Sequence, residues 1–149
     1  MKVVSTNRRA GRDYHILMTI EAGIVLQGAE VKSLRQGAVS LSDAYARIDN
    51  GQIYLLNLHI SPYKFSHSFQ LEPKRRRKLL LKKREIKKLY GLITQRGNTL
   101  IPLKVYFNDR GFAKVLLGVC RRKRTYDKKE RLIERELKAR VDRIKKRAR

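Results

Sequence analysis

The sequence predicts a mainly β fold with helices: a small antiparallel barrel with flanking α-helices, then a basic C-terminal tail. Three observations carry that prediction. Two pairs of alternating apolar runs are each joined by a Gly-containing turn, and one helical pattern lies between them. The final stretch, 121–149, holds 15 basic and 5 acidic residues with only a thin apolar stripe.

Residues 14–28 read as one or two strands, since Tyr14, Ile16, Met18 and Ile20 alternate with His15, Leu17 and Thr19. Gly23 predicts a bulge or turn within that run. A short helix is expected from Glu30 to Gln36, with Val31 and Leu34 on one face and Gly37 as its stop. The clearest hairpin is 43–60: Ala44, Ala46 and Ile48 alternate, Asn50-Gly51 forms a type I′ turn, and Gln52 to Ile60 returns. Ser61 to Pro73 is a loop. Lys82 to Arg96 predicts a helix with Ile86, Leu89, Tyr90 and Ile93 on one face and Gly97 past its end. A second hairpin spans 99–120, turning at Asn108-Asp109-Arg110-Gly111; Pro102 implies that its first strand begins late or lies at an edge. Five or six antiparallel strands avoid long open edges most economically by closing, which points to an oligonucleotide-binding-type barrel. The division expected is a barrel domain over 1–120 and a tail over 121–149. That tail is a narrow, highly charged helical pattern, expected to be disordered when free and helical once a polyanion neutralises it.

Charge bounds the function. The 149 residues hold 37 Lys+Arg and 13 Asp+Glu, a formal charge of +24. Residues 74–88 carry +9 of it and 121–149 carry +10. Like charges packed so densely call for a polyanion, and nucleic acid is the first candidate. No run approaches the roughly 18 apolar residues of a membrane span, and 1–7 lack the apolar core of an export signal. With a single cysteine, Cys120, no internal disulfide forms. A cytoplasmic location and no membrane partner are expected. No catalytic constellation assembles: His15, His59 and His67 have no metal-ligand spacing, and phosphate-binding loops and nucleophile elbows are missing. No enzyme, metal or cofactor is therefore expected. The charge, barrel and tail also fit a ribosomal protein or a general RNA chaperone, and tighter binding to one RNA than to random RNA is what tells a dedicated binding protein from these.

Several segments, in order and across nearly the whole chain, resemble the SsrA-binding protein (small protein B) family. They include Asn7-Arg8-Arg9-Ala10, Glu21-Ala22-Gly23-Ile24 and Asn57-Leu58-His59-Ile60-Ser61-Pro62-Tyr63. Glu30-Val31-Lys32-Ser33-Leu34-Arg35 and Lys78-Leu79-Leu80-Leu81 are distinctive together, and Tyr126-Asp127-Lys128 lies in the tail. The resemblance implies an oligonucleotide-binding barrel that binds the tRNA-like domain of transfer-messenger RNA. It implies delivery of that RNA, with elongation factor Tu held indirectly through it, to stalled ribosomes in trans-translation. It also implies a monomer whose tail enters the empty messenger channel near the decoding centre and becomes helical there.

Asn7, Glu21 and Leu80 match family positions on the RNA-binding surface. An amide both donates and accepts on a base edge, and a carboxylate accepts from base or 2′-hydroxyl donors. Leu80 either packs against a base or belongs to the core; Glu21 either meets RNA or pairs with a nearby arginine. The basic block Lys74, Arg75, Arg76, Arg77 and Lys78 is expected to grip the same RNA. In the tail, Tyr126, Asp127, Lys128 and Lys129 align with the family's ribosome-binding motif. Lys129 replaces its arginine and lacks the bidentate fork. Arg121-Arg122-Lys123-Arg124 departs from the family's Lys-Gly-Lys junction.

Overall fold

Residues that alternate in the sequence alternate in the structure between a closed apolar interior and an outer face. The computed structural model describes residues 1–64, 71–95, 97–123, 135–141 and 143. Strand β1 (Lys2–Thr6) and helix α1 (Arg8–Asp13) precede β2 (Tyr14–Ile24) and α2 (Gly28–Arg35). Then come β3 (Val39–Ser40), β4 (Tyr45–Asp49), β5 (Gln52–Leu56), β6 (His59–Ile60) and β7 (Arg77–Leu80). Helix α3 (Lys83–Ile93) and the long strands β8 (Asn98–Phe107) and β9 (Ala113–Arg122) complete the barrel.

Every pairing among the described residues is antiparallel. Seven strands run in the order β1-β8-β4-β5-β7-β2-β9, and β8 also pairs with β9, so six close into a ring with β1 beside β8. This is the expected barrel. Strands β3 and β6 form a separate small sheet. Ala22, Ala46, Ile53, Leu55, Leu79, Leu100, Val105, Val115, Leu117 and Val119 fill the interior. Leu34 from α2 and Ile86 and Leu89 from α3 pack against them. Outside the ring, Ala10 of α1 covers a smaller cluster of Ile101, Leu103 and Cys120.

The β4–β5 turn and the start of α2 obey local chemistry. Asn50 and Gly51 take φ of 51° and 73°, as a type I′ turn requires. Helix α2 opens with a capping box, in which Glu30 accepts from the Gln27 N–H at 2.9 Å.

Several expectations give way to specific causes. Strand β2 passes through Gly23 without a bulge; its register shift against β9 lies between Ile16 and Met18. Pro102 lies inside β8, between the pairing of β4 at Leu100 and that of β1 from Lys104, beside a bulge that tolerates its missing N–H. Tyr90 faces solvent rather than the core. The return strand β5 stops at Leu56, where Asn57 takes φ of 58°. Strands β1 and β7 and helix α1 have no counterpart among the expected elements. β9 continues past residue 120 to Arg122, and the next residue, Lys123, is only 5% exposed. Its N–H donates to Asp13 O at 2.8 Å and its ammonium to Gly11 O at 3.0 Å. Of the tail, residues 135–141 are helical with every side chain exposed, the Leu137–Val141 stripe included.

Candidate nucleic-acid interface

Register places the outer-face residues. Glu21 of β2 stands opposite Leu116 of β9, which stands opposite Lys104 of β8, which stands opposite Thr6 of β1. The neighbouring row runs Leu80, Gly23, Lys114, Tyr106 and Val3. Directly paired residues share a face, so Glu21 and Leu80 sit together. Asn7 follows Thr6 at the far end of the first row. Three strand spacings of about 4.8 Å put roughly 14 Å between the ends of that row.

Leu80 is 53% exposed, which removes it from the core. Gly23 makes its position possible: a Cβ there would lie 3.2 Å from the Leu80 Cβ. Glu21 is exposed, and its partner is a tyrosine rather than an arginine. The Tyr106 hydroxyl, reaching from β8 across β9, donates to the Glu21 carboxylate. Burial and the adjacent carboxylate push the Tyr106 phenol up to about 12. Asn7 is committed internally. Its Oδ1 accepts from Ala10 N–H at 3.3 Å, capping α1, while its Nδ2 donates to Pro102 O at 3.1 Å. It shapes the α1 end of this face rather than presenting a free amide.

The basic block divides by strand alternation. Lys78 and Leu80 point out; Arg77 and Leu79 point in. Arg77 has no exposed surface, so its expected RNA contact is corrected to an interior role. Its guanidinium donates to Glu30 Oε2 at 2.7 Å, Leu58 O at 2.6 Å, Pro73 O at 3.0 Å and Arg75 O at 3.2 Å. Arg75 also grips Glu30, through its Nε at 3.1 Å and through Nη2. Burial alone would raise the Glu30 carboxyl; hydrogen bonds from Arg75, the Gln27 N–H and Arg77 outweigh it and hold the group below the usual carboxylate range. Lys74, Arg76 and Lys78 remain outward. The Arg76 guanidinium lies over the Tyr54 ring at 3.5 Å and 3.6 Å from Asp49.

Sequence reading missed Lys104, Lys114 and Tyr106, which strand alternation alone would have put outside. Tyr126, Asp127, Lys128 and Lys129 lie outside the described residues. Among the described residues no group of three or more His, Cys, Asp or Glu side chains is placed to hold a metal ion, and no helix is long and apolar enough to cross a membrane. The arrangement offers cations for phosphates, one fixed carboxylate acceptor and one exposed apolar side chain.

A family model described as SmpB protein matches residues 4–147. An SsrA-binding protein of Pseudothermotoga lettingae is 54% identical over 141 residues, covering 95% of each chain. One from Coprothermobacter proteolyticus is 56% identical, covering 93% of this chain and 95% of its own. A solved chain described as "tmRNA-SmpB: a journey to the center of the bacterial ribosome" superposes with a TM-score of 0.71 at 52% identity. The likeness covers 87% of this chain and 94% of that one.

Proposed function

The chain belongs to the SmpB protein family, and from that premise we propose that it is an RNA-binding adaptor of trans-translation. It binds the tRNA-like domain of transfer-messenger RNA and delivers it to stalled ribosomes, where unfinished peptides are tagged. The observation that carries this reading is the extent of the likeness, which spans barrel and tail together at residues 4–147. The protein works by binding rather than catalysis, as a monomer in the bacterial cytoplasm, with elongation factor Tu reached only through the RNA.

On the barrel, Lys104 and Lys114 approach phosphates along the outer face. Glu21, steadied by Tyr106, accepts from a base or 2′-hydroxyl donor, and Leu80 packs against an exposed base. Lys74, Arg76 and Lys78 extend the positive surface along β7. Asn7 acts through the shape of the α1 end. The tail, with Tyr126, Asp127, Lys128 and Lys129, engages the ribosome, and its boundary with the barrel falls after Lys123.

Pull-down from bacterial extract with sequencing of the bound RNA tests the reading. One dominant tRNA-like species is expected, with Glu21→Ala reducing its recovery while the circular dichroism of the fold is unchanged. A broad RNA population, insensitive to Glu21→Ala, would favour a general chaperone instead.

A further inference from the structure

Helix α3 carries a charge that neither the core nor the Glu21–Leu80 face accounts for. Ile86 and Leu89 anchor it inward. Glu85, its acidic residue, is turned back onto the Lys82 N–H at 3.0 Å as part of a capping box. Lys83, Lys87 and Tyr90, spaced four and three apart, project from one flank and are all exposed, Tyr90 by 56%. Opposite them stands the type I′ turn of Asn50 and Gly51, followed by Gln52.

Between flank and turn lies an open groove of about 750 Å³, floored by Ile48 and Ile86. That volume falls within the roughly 300–1,000 Å³ range of ligand clefts. Asp49 lies at the rim, with Arg76 3.6 Å from its carboxylate. Among the described residues neither lysine has a salt-bridge partner. The other flank of α3, Arg84 and Lys88, is the one beside Met18 and Ile20 of β2. The groove therefore shares no residue with the Glu21–Leu80 face.

We propose that this groove is a second RNA site, holding an unpaired nucleotide of an RNA other than the one on the Glu21–Leu80 face. The base stacks on Tyr90, Lys83 and Lys87 neutralise its flanking phosphates, and the Asn50 and Gln52 amides meet the base edge. Charge complementarity selects the occupant: two ammonium groups beside an exposed aromatic face suit a single nucleic-acid strand. The proposal rests on the adaptor reading for the identity of the first RNA only.

The test uses the full chain, alone and saturated with a tRNA-like RNA, and a short uridine-rich single strand carrying one 2-aminopurine as probe. Stacking should quench the probe's fluorescence equally in both states. Tyr90→Phe should retain the quench, whereas Tyr90→Leu should abolish it and weaken probe binding about tenfold. Lys83→Ala with Lys87→Ala should lower the salt dependence of probe binding by roughly 1.4, about 0.7 for each phosphate that is no longer neutralised. All variants should bind the tRNA-like RNA within about twofold of the native chain. Quenching by Tyr90→Leu equal to that of the native chain would overturn the proposal. So would displacement of the probe by the tRNA-like RNA, since the groove would then belong to the first site. Failure of the tRNA-like RNA to bind would count against the adaptor reading alone, because the unloaded chain still reports on the groove.

Discussion

Glu30 shows how one buried carboxylate organises a positively charged neighbourhood. It caps α2 through Gln27 and holds Arg75 and Arg77. Removing it by Glu30→Ala leaves Arg77 charged, fully enclosed and without its counter-ion, which costs about 3–5 kcal/mol. Urea unfolding should read that loss, and Lys78 and Leu80 should lose their fixed orientation with it. Because Glu30 titrates below its ordinary value when folded, its contribution is fully present above the unfolded carboxylate pKa. It declines as pH falls through the lower folded value. Acid titration of stability should therefore show a step in the native chain that Glu30→Gln lacks. The sequence did not reveal this role, because a run of five basic residues looks uniformly solvated. Only the partner strand shows which of them turn inward: Arg77 stands opposite the fully buried Leu55.

At the scale of elements, β2 and β7 meet where a glycine faces a leucine. Gly23→Val would place branched carbon against Leu80 and push it off the outer face. Leu80→Ala removes only exposed apolar surface, the surface proposed to meet RNA. Both substitutions are expected to weaken binding of the tRNA-like RNA about tenfold, equivalent to roughly 1.4 kcal/mol. Thermal melting should separate them: Leu80→Ala stays near the native value because the side chain is already half in water, whereas Gly23→Val melts lower. The β4–β5 hairpin, α2 and the β8–β9 hairpin were legible because Asn50-Gly51, Gly37 and Gly111 announce their turns. β7 was hidden because a four-residue strand beginning in arginine carries no apolar alternation of its own. β1 was hidden because its pairing with β8 is written in a partner far along the chain.

For the whole molecule, the segmental charge was legible and the closing of the barrel was legible; that β9 runs on to Arg122 was not. Lys123 resembles its basic neighbours in sequence, yet its backbone and ammonium are bonded to Asp13 and Gly11 of α1. A chain ending at Lys123 should retain the native affinity for the tRNA-like RNA and lose peptide tagging on stalled ribosomes. A chain ending at Cys120 should also melt lower, because it lacks that attachment. Retained tagging in the shorter chains, measured in a reconstituted translation system, would remove the ribosomal role of the tail. The lysine clasp also fixes a mechanical origin for everything beyond it. Chain beyond Lys123 therefore starts from a fixed point beside α1. Each further residue can add about 1.5 Å of reach if helical and no more than about 3.6 Å if fully drawn out. A tail residue that meets the ribosome while the barrel stays docked must lie within the reach that its distance along the chain from Lys123 allows, and the shorter that distance, the higher the local concentration at which the residue is presented.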